Sequence, residues 1–516
     1  MKSAGALRLS FALAAGAATV FGFAPFGLFA LPVVTLAALI LLWQNAPSAR
    51  AAAAIGFAFG VGLFGAGASW VFVALNTFGG MPLPIAGLGT AGFCAFLALY
   101  PAGVGWLAAK WTAPQSWPRA LAAAAAWPLS EWARSLIFTG FPWLSLGYAA
   151  LPEGSTSPLA GYAPIGGVFL VTFATAIAAA ALALAIDSLA NGARVRAAML
   201  VGCIVVIAAG GMALGRIEWT APAGAPVAVS LVQGNVTQEV KFDPDFREAT
   251  FDLYTGLVSA SHGRLVVLPE SAFPVFADEV PESVLTRVLD IVVARDGDAL
   301  IGMFTVEAPL IPGGEPRYYN SVVSVGASPP QLYRKRHLVP FGETIPLEPI
   351  VGWFIRKVLA IPIASQASGE PDPLLHEVAG QKLALNICYE DAFGALIRRQ
   401  AREATLLVNV TNDAWYGRSL AAEQHNQISA MRALETGRPL LRATNTGITS
   451  AIGHDGREIA RLPWFTRGIL EVEIAGRQGA TPYVRFGDGV AIVAAFVALL
   501  GAALAARRAS NRLGPE

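Results

Sequence analysis

The sequence is poor in charge and in cysteine, and both shortages exclude classes of function. Lysine, arginine, aspartate and glutamate make up only 14% of the 516 residues, and the net charge is +1. A nucleic-acid-binding protein usually carries a basic excess, so this class is not expected. Three cysteines are present, and Cys94 and Cys203 lie in long apolar runs that leave Cys388 alone in its region. We therefore expect no disulfide framework, no metal site and no cofactor.

Long apolar segments take the place of the missing charge, since 55% of the residues are hydrophobic. A helix needs about 20 apolar residues to cross roughly 30 Å of hydrocarbon. The segments near this length are 8–24, 27–44, 52–75, 86–108, 118–136, 162–186, 197–214 and 488–506. The first could instead be a signal peptide, but the next segment follows almost at once. The sequence therefore predicts about eight transmembrane helices.

The basic residues predict an orientation. They occupy the N-terminus and every second connection, as Lys2, Arg8, Arg50, Lys110, Arg119, Arg194 and Arg196. After the last segment come Arg507, Arg508 and Arg512. Because basic residues favour the cytoplasmic side, we expect both termini inside and the long stretch between the last two segments outside. The predicted domains are a membrane domain at 1–216, an outer domain at 217–487 and a final helix with its tail at 488–516.

The outer domain has an ordinary soluble composition and opens with A-P-A-G-A-P (221–226), which we interpret as a linker. Strands are predicted at 227–233, 264–269, 299–305, 319–325, 383–388, 405–410, 440–444 and 448–453. Helices are predicted at 244–261, 282–295, 391–402 and 420–436. Short strands that look buried on both faces, alternating with helices, are typical of a layered α/β sandwich.

The stretch K-L-A-L-N-I-C-Y-E-D (382–391) places Cys388 between a predicted strand and a predicted helix. Asp391 can cap that helix. A thiol beside a helix N-terminus is favoured as the thiolate, which is a nucleophile. The alternative is that Cys388 is a small buried apolar residue, as most free cysteines are.

Other polar residues also follow predicted strands, where α/β folds often collect catalytic groups. They are Glu270 after the second strand, Lys335 and Glu343 near the fourth, and Asn412, Asp413 and Trp415 after the sixth. With Cys388 they could support acyl transfer, in which a thiolate attacks a carbonyl, a carboxylate moves the proton and a cation stabilises the oxyanion. The alternatives are caps, ion pairs, turns and a basic surface. His337 or His425 could also pair with the cysteine.

At these residues the sequence resembles the apolipoprotein N-acyltransferase family. The order Glu270, Lys335, Cys388 is similar to the Glu-Lys-Cys triad of the nitrilase superfamily. The strings L-P-E-S, Y-R-K-R-H-L-V-P-F-G-E, N-I-C-Y-E and N-D-A-W-Y-G, together with F-T-G-F-P-W-L-S-L-G-Y (138–148), resemble that membrane family more specifically. The resemblance implies a nitrilase-type αββα sandwich on a polytopic α-helical membrane domain.

The resemblance also implies a reaction and its residues. Cys388 would hold an acyl chain taken from a phospholipid, typically phosphatidylethanolamine, and pass it to the N-terminal amine of a diacylglyceryl-cysteine apolipoprotein. Glu270 would be the base, and Lys335 and the Tyr389 N–H would stabilise the oxyanion. The further positions that match the family are Glu343, Tyr389, Glu390, Asn412, Trp415 and Trp143.

Two other functions stay open from the residues alone. One is a membrane-anchored amidase or nitrilase that hydrolyses a small amide with the same triad. The other is a transporter or receptor with an outer binding module, although the segments contain almost no mid-membrane charge. We expect a monomer in a bacterial inner membrane with the outer domain in the periplasm, and the apolar stretch 351–363 could dip into lipid or be a buried helix.

Overall fold

The computed structural model describes residues 2–152, 154–309, 315–345 and 366–512, so the apolar stretch 351–363 lies outside the described residues. The chain forms two compact units. The first contains Met1–Glu218, Arg418–Gln427 and Thr481–Glu516, and the second contains Trp219–Gly417 and Ile428–Ala480. The two units are not successive parts of the chain, because the second unit is interrupted by ten residues that belong to the first.

Twelve helices of seven residues or more occur in the described ranges. They are α1 Lys2–Thr19, α2 Leu31–Gln44, α3 Ala49–Gly67, α4 Leu83–Trp111, α5 Trp117–Arg134, α6 Ala163–Ala190, α7 Arg194–Leu214, α8 Arg247–Ala260, α9 Glu282–Val293, α10 Gly394–Gln400, α11 Ala421–Thr436 and α12 Gly489–Arg512. Shorter helices are Val71–Val73, Gln238–Lys241 and Pro482–Phe486. Each of the eight predicted apolar segments overlaps one of the long helices.

The predicted count of eight transmembrane helices is not confirmed. Within the described residues, six helical segments are long and apolar enough to cross a membrane, namely Gly5–Gly22, Ala49–Gly67, Leu83–Trp111, Pro158–Ala190, Arg194–Leu214 and Gly489–Ala509. Helix α2 has only 14 residues, and α5 carries three charged residues. Composition therefore supports about six spans, with two further helices in the same unit.

Two of the charged residues of α5, Glu131 and Arg134, are buried and bind the loop that follows the helix. Glu131 accepts hydrogen bonds from the Leu146 N–H at 2.9 Å and from the Thr172 hydroxyl at 2.7 Å. Arg134 donates to the carbonyl of Phe141 at 2.8 Å. Buried charges are rare unless they are paired in this way. These polar side chains therefore fix the loop at 139–148 within the first unit.

The second unit contains two six-stranded sheets. Its strands are β1 Thr220–Gln233, β2 Leu265–Val267, β3 Asp298–Glu307, β4 Arg317–Gly326, β5 Gln331–Arg334, β6 His376–Val378, β7 Gln381–Ile387, β8 Leu406–Thr411, β9 Leu440–Thr444, β10 Ser450–Ile452, β11 Glu458–Arg461 and β12 Gly468–Gly479. The strand orders are β12-β1-β2-β3-β4-β5 and β11-β10-β9-β8-β7-β6. All eight predicted strands are present.

Each sheet has a parallel centre that is covered on both faces. Strands β1, β2 and β3 run parallel in the first sheet, and β7, β8 and β9 do so in the second. Valines and aromatic residues of α8 and α9 pack on the first sheet, while Ser429 of α11 accepts a hydrogen bond from Arg442 of β9. Between the sheets, the Thr444 hydroxyl donates to Gln233 at 3.5 Å. This arrangement confirms the predicted αββα sandwich.

One correction concerns the stretch 221–226, which was interpreted as a linker but forms the first part of β1. It pairs with β12, and the register shifts between Ala223 and Val227. Strand β2 pairs only with residues 229–231 of β1. The edge of residues 221–226 that faces away from β12 is therefore unpaired. An unpaired edge tolerates proline, which has no N–H to donate.

Candidate active site

Cys388 lies where β7 ends and a single turn of 3₁₀ helix, Cys388–Ala392, begins. Its φ is 53°, an uncommon value for a residue with a Cβ atom. The Asn409 amide of the neighbouring strand donates to the Cys388 carbonyl at 3.1 Å and so holds this backbone in place. Such strain is found where the surrounding structure enforces it, often at active sites.

The predicted cap at Asp391 is wrong. Helix α10 begins at Gly394 after Phe393, while the Asp391 carboxylate accepts hydrogen bonds from the Ser429 hydroxyl and from Arg442. Arg442 is fully buried and also donates to Asp413 at 3.0 Å and to Asn409 at 2.7 Å. The buried guanidinium needs these acceptors more than the helix needs a cap, because an unpaired buried charge is very costly.

The thiol of Cys388 is also less acidic than the sequence suggested. Burial raises its pKa well above the usual value, the charge of Glu270 raises it further, and that of Lys335 lowers it. The resting group is therefore the thiol, and a base must take its proton before it can attack. The charged groups that act most strongly on it are Glu270, Lys335 and Asp413, and none of them is a histidine.

Glu270 follows β2 and is buried beside Lys335, which follows β5. The Lys335 ammonium lies 3.6 Å from Glu270 Oε1, and the Asn320 amide donates to the same oxygen at 2.7 Å. The backbone of Asn320 also accepts from the Lys335 N–H at 2.8 Å. Asn320 on β4 therefore orients both the carboxylate and the lysine.

Glu343 shares the same lysine. Its Oε1 accepts from the Lys335 ammonium at 2.7 Å, and its Oε2 accepts from the Val339 N–H at 2.8 Å. Burial lowers the pKa of Lys335, but the charges of Glu343 and Glu270 raise it by more, so the net shift is upward. Lys335 is thus a permanent cation at neutral pH, suited to stabilise an oxyanion.

Glu390 is fully buried and joins the segment of Lys335 to that of Cys388. One carboxylate oxygen accepts from the Arg336 N–H at 2.8 Å and the His337 N–H at 3.1 Å. The other accepts from the Ile387 N–H at 2.7 Å and the Tyr333 hydroxyl at 2.8 Å. A carboxylate has enough lone pairs for four donors. Glu390 therefore fixes Ile387, which precedes Cys388, relative to Arg336 and His337, which follow Lys335.

The remaining predicted residues have different surroundings. Asn412 is buried and donates to Gln238 at 3.0 Å, and Tyr389 packs edge-on against Phe393. Trp415 has 41% of its surface exposed. Trp143 belongs to the first unit, where it is buried among aromatic rings and donates to Gln424 at 2.9 Å.

The two histidines considered as partners of the cysteine also pack against aromatic rings. His337 lies 3.8 Å from Phe393 between ring centroids, and His425 lies 5.2 Å from Trp143. His425 belongs to the first unit. The charges that act on the Cys388 thiol thus favour the Glu270–Lys335 pair over a histidine.

Four residues near the cysteine were missed by the sequence analysis: Lys241, Asn320, Asn409 and Arg442. A signal existed for the last two, because a lone polar residue in each of the strings L-L-V-N-V and L-L-R-A interrupts a run that is otherwise apolar. Lys241 and Asn320 gave no such signal, since other polar residues stand within two positions of each in the sequence.

The comparisons with known proteins cover both units. Residues 15–181 match the family model described as apolipoprotein N-acyltransferase N-terminal domain, and residues 208–483 match the carbon-nitrogen hydrolase model. An apolipoprotein N-acyltransferase from Nitrosomonas europaea is 47% identical over 504 residues, covering 97% of this chain and 98% of the relative. One from Ralstonia nicotianae is 41% identical, covering 97% of this chain and 94% of the relative.

A solved amidase of the nitrilase superfamily from Nesterenkonia AN1 covers 51% of this chain and 95% of its own, with 18% identity and a TM-score of 0.36. This weak likeness carries no argument for an amidase, and the small-amide alternative is not favoured. The acyltransferases match the membrane helices as well as the sandwich, over nearly the whole length. The chain therefore belongs to the apolipoprotein N-acyltransferase family, with a sandwich of the nitrilase superfamily.

Proposed function

We propose that this acyltransferase moves a fatty acyl chain from a phospholipid to the N-terminal amine of a diacylglyceryl-cysteine lipoprotein, through a thioester on Cys388. The observation that carries the proposal is the convergence of a buried thiol, a buried carboxylate and a buried ammonium from three separate strand ends. The membership in the family gives the substrates, and the six apolar segments suit a donor that resides in a bilayer.

In the first half-reaction, Glu270 accepts the proton of the Cys388 thiol, and the sulfur attacks the ester carbonyl of the phospholipid. A C–S bond forms, and the negative charge that develops on the carbonyl oxygen is stabilised by Lys335 and by the Tyr389 N–H. The ester C–O bond then breaks. The leaving alkoxide takes the proton from Glu270 and departs as a lysophospholipid.

In the second half-reaction, the amine of the lipoprotein attacks the thioester carbonyl. A C–N bond forms, the C–S bond breaks, and Glu270 transfers the amine proton to the Cys388 sulfur. The buried thiol, whose pKa is high, is regenerated in its protonated form. The cycle needs no oxidant and no further reactant.

The supporting residues divide into two groups. Glu343 holds the Lys335 ammonium, Glu390 holds backbone N–H groups on both sides of the site, and Asn412 holds the Gln238 side chain. The aromatic residues Trp415 and Tyr389 are proposed to contact substrate, and Trp143 is proposed to support the aromatic packing of the first unit. For Trp415 the support is its partial exposure two residues after Asp413.

We further propose phosphatidylethanolamine as the donor, a monomeric enzyme, and domain boundaries near residues 216 and 487. The proposed topology has both termini in the cytoplasm and the stretch 217–487 in the periplasm of a bacterial inner membrane. The support is the placement of basic residues along the sequence.

The intact mass of the protein tests the thioester. The purified chain is incubated with phosphatidylethanolamine, and we expect the wild type to gain one fatty acyl group that hydroxylamine removes. Cys388→Ala should gain none. Cys203→Ala is the matched control, because Cys203 is exposed on α7 and should leave the adduct unchanged.

Addition of a synthetic diacylglyceryl-cysteine peptide should then remove the acyl group from the enzyme and add it to the peptide amine. An adduct that water removes equally fast with and without the peptide would instead indicate a hydrolase. An adduct that persists in Cys388→Ala would refute the assignment of the nucleophile.

A further inference from the structure

A second buried lysine lies beside the triad, and neither the proposed reaction nor the sequence patterns account for it. Lys241 ends the short helix Gln238–Lys241, and only 2% of its surface is exposed. Its ammonium donates to the backbone carbonyl of Glu270 at 3.0 Å. Lysine is almost never fully buried without a partner, so the charge of Lys241 needs a compensating group nearby.

The compensating group is the carboxylate cluster. The Lys335 ammonium is 2.7 Å from Glu343 but 3.6 Å from Glu270, so Glu343 is its nearer partner. Two carboxylates therefore share one lysine, and this group of three carries one net negative charge when all are ionised. Lys241, bound to the main chain of Glu270, brings the total to zero.

The position of Lys241 is fixed by the loops around it. Gln238, at the start of the same helix, accepts from the Asn412 amide at 3.0 Å. Before the helix, the side chain of Asn445 bonds both the N–H and the carbonyl of Val236. The short helix is thus attached at one end to the loop after β8 and at the other to the loop after β2. Lys241 is held beside Glu270 as part of the folded site.

The charged groups around Lys241 and Glu270 shift the pKa values of these two side chains. Burial lowers the pKa of Lys241 and the charges of Glu270 and Cys388 oppose this effect, so that the net pKa is about 8. Burial raises the pKa of Glu270; the charge of Lys335 lowers it, that of Glu343 raises it, and that of Lys241 lowers it. Lys241 is therefore mainly a cation at neutral pH, and its charge opposes the tendency of burial to protonate the base.

We propose that Lys241 is a positioning residue whose positive charge keeps the Glu270 carboxylate ionised, so that it can accept the Cys388 proton. The inference rests on the proposed acyl-enzyme chemistry and adds a second cation to it. Lys335 acts on the oxyanion and is neutralised by Glu343, whereas Lys241 acts on the base. The two lysines thus act on different charges: Lys241 on that of the resting base, and Lys335 on the charge that develops on the carbonyl oxygen.

The test measures acyl-enzyme formation from phosphatidylethanolamine alone, by intact mass, between pH 5 and pH 9. The amine acceptor is left out because an α-amine itself titrates near pH 8. The variants are Lys241→Gln, which can still donate to the Glu270 carbonyl, Lys241→Met, which cannot, and Lys241→Arg, which keeps the charge. Lys382→Met is the control, since Lys382 is an exposed lysine on β7, paired with Glu377.

We expect the acid limb of the rate profile to move to higher pH by about one unit in Lys241→Gln and Lys241→Met, the lower end of what a nearby opposite charge does to a carboxyl pKa. At a pH below the wild-type midpoint this is about a ten-fold loss of rate. Lys241→Arg and Lys382→Met should keep the wild-type midpoint. A lower plateau with an unmoved acid limb in Lys241→Gln would mean a purely structural role and would overturn the inference.

A second readout separates this inference from the proposed function. Alkylation of Cys388 by iodoacetamide needs no lipid and reports how readily the thiol loses its proton. In Lys241→Gln its pH midpoint should rise, again by about one unit. If the wild type forms no acyl adduct, the proposed function is wrong while the alkylation still tests Lys241. An unmoved alkylation midpoint in a folded Lys241→Gln protein would refute the role of Lys241 in either case.

Discussion

Glu390 offers the most demanding test of how the site is assembled. In Glu390→Gln one oxygen can still accept from two of the four donors, but the new NH₂ group faces the Tyr333 hydroxyl, which can rotate to accept from it, and the Ile387 N–H, which is left without an acceptor. A buried donor without an acceptor costs about 1–3 kcal/mol, and the two bonds that remain lose about 1 kcal/mol each when the acceptor is no longer charged. The expected loss of stability is therefore about 4 kcal/mol.

The assay is thermal unfolding of the purified protein in detergent. For a unit of this size, about 1 kcal/mol corresponds to roughly 2–4 °C, so Glu390→Gln should lower Tm by roughly 10 °C. Glu403→Gln is the control, because Glu403 is exposed just after α10, and a surface change of this kind alters stability by less than about 0.5 kcal/mol. A Tm within about 2 °C of the wild type, with normal acyl-enzyme formation, would show that the four hydrogen bonds do not hold the site together.

Two further predictions concern the buried residues His376 and Arg442. Burial lowers the pKa of His376 to about 4, so the unfolded chain binds a proton below about pH 6.5 that the folded chain does not bind until about pH 4. Stability should therefore fall by about 2 kcal/mol from pH 7.5 to pH 5.0, and His376→Leu should remove this part of the pH dependence of Tm. Arg442→Lys keeps the charge but loses the fork that reaches Asp391, Asp413 and Asn409; acyl-enzyme formation should fall roughly a hundred-fold, as expected for a displaced nucleophile, whereas an unchanged rate would refute its role.

The central strands could be predicted because each has a local signal. Apolar runs of four to eight residues mark the central strands, which are buried on both faces. Strands β5, β6, β11 and β12 were missed, since they are short or lie at sheet edges, where the alternation of polar and apolar residues is weak. A local pattern therefore predicts a strand that is buried on both faces, but not a short strand at the edge of a sheet.

The counter-charges around the triad could not be predicted because they depend on pairings across the fold. Arg442 compensates Asp391 and Asp413, which lie 51 and 29 residues away in the sequence. Asp391 looked like a helix cap for the same reason, since a local rule assigned it a local role. The acidity of Cys388 was misjudged in the same way, because burial among carboxylates outweighs the effect of a nearby helix end.

The left-handed backbone at Cys388 also sets a limit on sequence variation at this position. Glycine adopts such a φ without the steric cost borne by any residue with a Cβ, so Cys388→Gly would relieve about 1 kcal/mol that the cysteine imposes on the fold. The proposed nucleophile therefore carries a backbone strain that a glycine at position 388 would not carry. Alanine, which keeps the Cβ, is therefore the substitution that removes the sulfur while preserving the conformational tension of the native site.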